Sequence, residues 1–71
     1  MDLYLIWSNE HCAWWCAKAQ GYTSNHEKAG RYTREAALSH CRARDQRPGK
    51  PMPELPVREL DLMQILQMAA A

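Results

Sequence analysis

The chain has no phenylalanine, three glycines in all, and no apolar run approaching the roughly 20 residues that span a bilayer. Without phenylalanine, the aromatic share of any core falls to three tryptophans and three tyrosines. The start of the chain also lacks the basic beginning and apolar centre of a secretory signal, so a cytoplasmic location with no membrane partner is expected. Three cysteines are an odd count, and a reducing compartment keeps them as thiols, which argues against a disulfide framework. At 71 residues the chain reads as one domain, 1–71, near the lower limit for a single apolar core without disulfide or metal. An enzyme with a deep pocket is not expected at this size.

The net charge of +1 is unevenly spread. Residues 1–30 carry −1, residues 31–50 carry +4, and residues 51–71 carry −2. The middle third is thus a basic segment, with Arg31, Arg34, Arg42, Arg44, Arg47 and Lys50. Such a segment suits an acidic protein surface or a phosphate backbone. Its interleaving with Glu35 and Asp45, on a nearly neutral chain, favours a protein over nucleic acid.

All three tryptophans lie in or beside one expected hairpin within residues 1–17. Two apolar runs, Leu3 to Trp7 and Ala13 to Ala17, flank the polar Ser8-Asn9-Glu10-His11. If Asn9-Glu10-His11 is the loop, Ser8 faces Cys12. Leu3, Leu5, Trp7, Ala13 and Trp15 then share one face, and Tyr4, Ile6, Cys12, Trp14 and Cys16 share the other. One helix covers only one face, so the other needs a second element, a second copy (a homodimer) or a partner. Most of the aromatics are needed as core in so small a domain. Trp14 is the tryptophan expected to remain at a contact surface, with Tyr22 and the arginines 31, 34, 42 and 44 as further partner-binding residues.

Gly21 permits a bend before Tyr22 and Thr23, which favour extended backbone. Ser24 or Asn25 can cap a helical turn that Gly30 ends in the left-handed conformation. Thr33 is a good N-cap for a helix over 34–43, with Glu35 suited to the helix dipole and Ala37, Leu38 and Cys41 as its apolar stripe. The prolines of 47–56 mark an extended connection. A third strand over 57–60 and a last helix over 62–70 follow. Asp61 and Gln64 resemble a capping box for that helix, and Leu62, Ile65, Leu66 and Ala69 form its expected buried face. A single helix starting at Pro56 competes with this reading. The fold class expected is α+β: a small antiparallel sheet of two or three strands packed by a central and a C-terminal helix.

Cys12, Cys16, Cys41, His11 and His40 include the residue types that ligate zinc, which would make the chain a zinc-stabilised structural module. Along a regular strand, however, Cys12 and Cys16 stand about 13 Å apart, too far to share one ion. Free thiols acting as small apolar side chains, with no metal and no cofactor, are the simpler expectation. A cysteine nucleophile beside a histidine base would lack an orienting third group and an oxyanion loop, so no catalytic residues are expected.

Tyr4 to Trp15 reads YLIWSNEHCAWW, Gly21 to Thr23 reads GYT, and Ala29 to Leu38 reads AGRYTREAAL. This order resembles a group of small phage and prophage proteins that join an IWS-x-x-H-x-AWW hairpin to GYT and to an AGRY-[ST]-x-x-A helix start. The matching positions are Ile6, Trp7, Ser8, His11, Ala13, Trp14, Trp15, Gly21, Tyr22, Thr23, Ala29, Gly30, Arg31, Tyr32, Thr33 and Ala36. The resemblance covers roughly the first 40 residues. It implies an accessory protein of a mobile element, working in the host bacterial cell as an anti-CRISPR-type inhibitor of a type I CRISPR–Cas effector. Its partner would then be a host protein complex, bound stoichiometrically and kept from DNA. A small nucleic-acid-binding phage regulator, using the same arginines on phosphates, is the alternative.

Overall fold

In the computed structural model, which describes residues 2–44 and 53–70, the sheet is built around one central strand. Strand β1 (Leu3–Ser8) pairs antiparallel along one edge with β5 (Glu54–Arg58). Its second partner is β2 (Ala13–Trp15), at residues 7 and 8, and its third is β4 (Tyr32–Thr33), at residues 3 and 4. The two-residue strand β3 (Tyr22–Thr23) pairs with β2. Helix α1 (Arg34–Arg44) packs on β1, β4 and β5, and α2 (Glu59–Ala70) follows β5 directly. The class is therefore α+β as expected, with five strands instead of two or three. The two extra strands are the pairs Tyr22–Thr23 and Tyr32–Thr33, too short to show an alternating pattern in the sequence.

The hairpin register differs from expectation by one residue. Trp7 lies opposite Trp14 and Ser8 opposite Ala13, so the turn holds four residues, Asn9 to Cys12. Cys12 closes it in the left-handed region at φ 50°. The Ser8 hydroxyl accepts from the His11 N–H at 3.2 Å, and the Trp7 indole donates to Asn9 Oδ1 at 3.1 Å, which hold the wider turn. Because side chains alternate, the slip moves Ala13 and Trp15 to the Tyr4–Ile6–Ser8 face and Trp14 to the Leu3–Leu5–Trp7 face.

The core follows from that register. Ile6 and Trp15 pack with Ala37 and Cys41 of α1, and Tyr4, Tyr22 and Tyr32 surround them. Ala37 and Cys41 are buried as expected, and their small size lets the helix lie close over the tryptophan. Thr33 caps α1 as expected, its hydroxyl accepting from the Ala36 N–H at 3.2 Å. On the opposite face Leu5 is also fully buried, and α2 is the second helix packed against β1 and β5.

Asn25 caps the 3₁₀ turn His26–Lys28 by accepting from the Glu27 N–H at 2.9 Å. Gly30 does not take the left-handed conformation; Gly21 does, at φ 87°. Gly30 is instead required by closeness. Its N–H donates to the Trp15 carbonyl at 3.0 Å, and a Cβ there would lie 2.6 Å from Ala17 Cα and N.

The third strand is earlier and longer than expected, 54–58 instead of 57–60. It absorbs the end of the proline-rich stretch, with Pro56 opposite Ile6. Among the described residues β5 pairs only with β1, and an edge position tolerates a proline. The Asn9 N–H continues this pairing to the Pro53 carbonyl at 2.8 Å. The last helix begins at Glu59 rather than 62, and neither a helix from Pro56 nor an Asp61 cap is present. Asp61 lies inside the first turn, where Arg58 donates to it at 2.7 Å and holds its carboxyl below the ordinary carboxylate range. The rest of the expected proline-rich connection, with Arg47 and Lys50, lies outside the described residues.

Candidate interaction surface

Alternation on the sheet sends the expected contact residues to different places. Trp14 is on the face turned away from α1, half-buried and edge-to-face with Trp7 at 4.9 Å between ring centroids. Leu55 lies opposite Trp7 on β5 and is 40% exposed. Three large apolar side chains from three adjacent strands therefore meet at one end of this face.

Tyr22 belongs to the other side. It stacks on Trp15 at 4.4 Å and on His11 at 4.0 Å, at the margin of the α1-side core. Arg34 and Arg42 are exposed on α1, across the sheet from Trp14, so one flat contact cannot include both groups. The side chain of Arg44 lies outside the described residues.

Arg31 is engaged within the fold. Its guanidinium donates to Glu59 Oε2 at 2.5 Å, to the His26 carbonyl at 3.0 Å and to the Ala29 carbonyl at 2.8 Å. This single side chain ties the 26–29 turn to the first residue of α2. Arg31, expected at a partner-binding surface, is thus held by the fold itself, and an Arg31→Glu change should perturb the fold. Tyr32 plays a similar part, its hydroxyl donating to the Cys16 carbonyl and accepting from the Ala19 N–H at 3.1 Å.

Cys41 is placed otherwise than a nucleophile requires. Cys41 is 1% exposed, and burial together with the nearby Glu54 carboxylate pushes its thiol up to about 11. That withholds the thiolate a nucleophilic cysteine needs. Neighbouring His40 gives its Nε2 to Glu54 Oε2 at 2.5 Å, with Glu54 only 3% exposed, and its ring meets Trp15 edge-on at 4.9 Å. The pair joins α1 to β5 across the core. Among the described residues, no three His, Cys, Asp or Glu side chains come together as metal ligands.

Sequence reasoning missed the surface that α2 presents. Leu60 is 55% exposed, Ile65 60%, Leu66 37% and Met68 77%. Two of these, Ile65 and Leu66, with Ala69, belonged to the face expected to be buried; Ala69 is exposed too, and only Leu62 of the four is half-buried. The available signal was the absence of charge after Asp61, which leaves apolar residues on more than one side of the helix.

No protein-family model matches the chain, and neither a curated protein nor a solved structure does. Among the described residues, no helix is long and apolar enough to cross a membrane.

Proposed function

We propose that this chain is a non-enzymatic binding protein that docks on a protein partner through the face carrying Trp7, Trp14 and Leu55. The observation that carries the reading is the placement of a tryptophan pair outside the α1-side core, beside an exposed leucine. Half-buried tryptophans in a rigid edge-to-face pair give a large contact area at little entropic cost, and tryptophan is enriched among residues that dominate binding energies. The interdigitated pair is held by three paired strands and needs no reorganisation on docking.

In its finer form the partner is a type I CRISPR–Cas effector, inhibited by occlusion of its DNA-binding surface. That form draws its support from the resemblance of residues 4–38 to phage and prophage proteins. The test is to titrate the protein into a purified type I surveillance complex and measure the complex's binding to target DNA. Loss of binding near one equivalent supports the reading, and Trp14→Ala, folded by circular dichroism, should then need at least about tenfold more protein. Unchanged DNA binding removes the CRISPR target. Equal potency of Trp14→Ala and wild type removes this face as the contact. Salt-sensitive binding of DNA by the protein alone would move the reading to the phosphate-binding alternative.

A further inference from the structure

We infer that α2 is a self-association helix, pairing antiparallel with α2 of a second copy of this chain. From Leu62 to Ala70 the helix has no charged residue, and both its acidic residues stand in the first turn. At 100° per residue, half-buried Leu62 and Met63 define the sheet-facing side. Leu60, Asp61, Gln64, Ile65 and Met68, at i, i+1, i+4, i+5 and i+8, occupy the outward half, and all five are exposed. Three of these outward residues, Leu60, Ile65 and Met68, are large and apolar, and contiguous exposed apolar surface of this kind marks a contact site.

The outward stripe matches a copy of itself. Taking about 200 Å² for a fully exposed residue of this size, Leu60, Ile65, Met68 and Gln64 offer on the order of 500 Å² per copy. Doubled by a twofold contact that covers all of it, this reaches at most about 1,000 Å², the lower bound for a specific interface; area alone does not set affinity, and the association expected is weak, with a dissociation constant on the order of micromolar or above. Antiparallel pairing places each acidic first turn beside the uncharged end of the other helix and opposes the two helix dipoles. Gln64, near the middle of the stripe, then sits by the twofold axis. Its amide has both donors and acceptor and can exchange hydrogen bonds with its own copy. A charged partner would find no counter-charge on this stripe beyond Asp61. The stripe shares no residue with the Trp7–Trp14–Leu55 surface, so each is probed by its own substitutions.

The test is sedimentation of the full chain from about 1 µM to about 500 µM, a span that brackets the expected constant. Wild type should pass from monomer to dimer mass. Ile65→Glu with Met68→Glu should remain monomeric throughout with an unchanged circular dichroism spectrum, since both positions are exposed. Because that double variant removes apolar area as well as adding charge, a charge exchange at the axis provides a second reading. Gln64→Lys and Gln64→Glu should each weaken association by at least about tenfold at low salt, and their equimolar mixture should restore it. A wild type that stays monomeric over the whole range overturns the inference, as does a double variant that dimerises like wild type. A mixture that fails to restore association overturns the antiparallel, twofold arrangement.

Discussion

Replacing Gly30 by alanine should be the most damaging small change in this protein, although Gly30 has an ordinary negative φ and alanine suits such a backbone. The cause is the distance from the Cβ position to the neighbouring chain: 2.6 Å to Ala17 Cα, 2.6 Å to Ala17 N and 2.8 Å to Cys16 C, all backbone atoms that no rotamer can move aside. Ordinary carbon contacts lie at about 3.5–4.0 Å, so the two strands of chain must separate by about 1 Å. Overpacking of this kind costs about 1–3 kcal/mol, and stretching the 3.0 Å hydrogen bond from Gly30 N–H to the Trp15 carbonyl adds about 1 kcal/mol. The reduced entropy of the unfolded chain returns about 0.5 kcal/mol, leaving a net loss of about 1.5–3.5 kcal/mol. For a domain of this length that lowers the melting temperature by about 10–20 °C. The internal control is Gly21→Ala, where φ is 87° and nothing lies within 4 Å of the added Cβ. Its cost is conformational alone, about 1 kcal/mol. Thermal and urea unfolding followed by circular dichroism decide the matter. If Gly30→Ala melts no lower than Gly21→Ala, the close approach of residues 16–17 to Gly30 is not what the conformation of this loop depends on.

Arg31→Glu should lower stability by about 2–3 kcal/mol, since it removes one ion pair and two bonds to carbonyls and sets a second carboxylate against Glu59; an unchanged urea midpoint would refute this. Arg31→Lys keeps the charge but not the fork that reaches all three acceptors, and should fall between the two. Alkylation at pH 8 should label exposed Cys12 fastest, half-buried Cys16 more slowly, and buried Cys41 only after unfolding, because a thiol at about 11 is ionised in about one molecule per thousand. Peptide mapping showing Cys41 labelled at the rate of Cys12 would contradict its burial. The same thiol gives a direction for alkaline stability. Its folded value is raised from an ordinary 9.0, so the folded chain holds a proton the unfolded chain releases, and stability should fall as pH rises from about 9 through about 11. Cys41→Ser, which has no such proton, should flatten that slope.

The elements that announced themselves in the sequence are those with local chemical signals. Thr33 followed by Arg34-Glu35-Ala36 carries its own cap, and α1 begins where the cap puts it. The hairpin was legible from its two apolar runs, but the register was not. A three-residue and a four-residue turn differ by one position, and the residue that closes the longer turn is Cys12 at φ 50°, where neither glycine nor asparagine advertises a left-handed conformation. That single step decides which tryptophan is core and which is surface. Trp14 is half-buried, as Trp7 is, and lies on the face opposite to that expected for it. Arg31 was read as a surface charge because its acceptors, two carbonyls and the carboxylate of Glu59, are set by tertiary folding and leave no spacing pattern. Prolines misled in a similar way at β5, where an edge position accommodates what a central strand would refuse.

The last helix is the point at which periodicity and structure part for a physical reason. A stripe of Leu62, Ile65, Leu66 and Ala69 would turn the helix by its apolar side, yet of these four only Leu62 is half-buried, and Leu60, Met63 and Met68 put apolar surface on the helix's other sides. The charged residues at its start pair with the rest of the fold: Arg31 with Glu59, and Arg58 with Asp61 at 2.7 Å and Asp2 at 3.5 Å. These contacts seat the first turn and leave Ile65 and Met68 outward. A monomer selected to remain alone would carry lysine or glutamate at those two positions, where charge costs nothing in helix propensity or packing. Their apolar identity on an exposed helix is what the self-association inferred above would account for. The charge-exchange experiment at Gln64 asks directly whether the chain pairs with itself there.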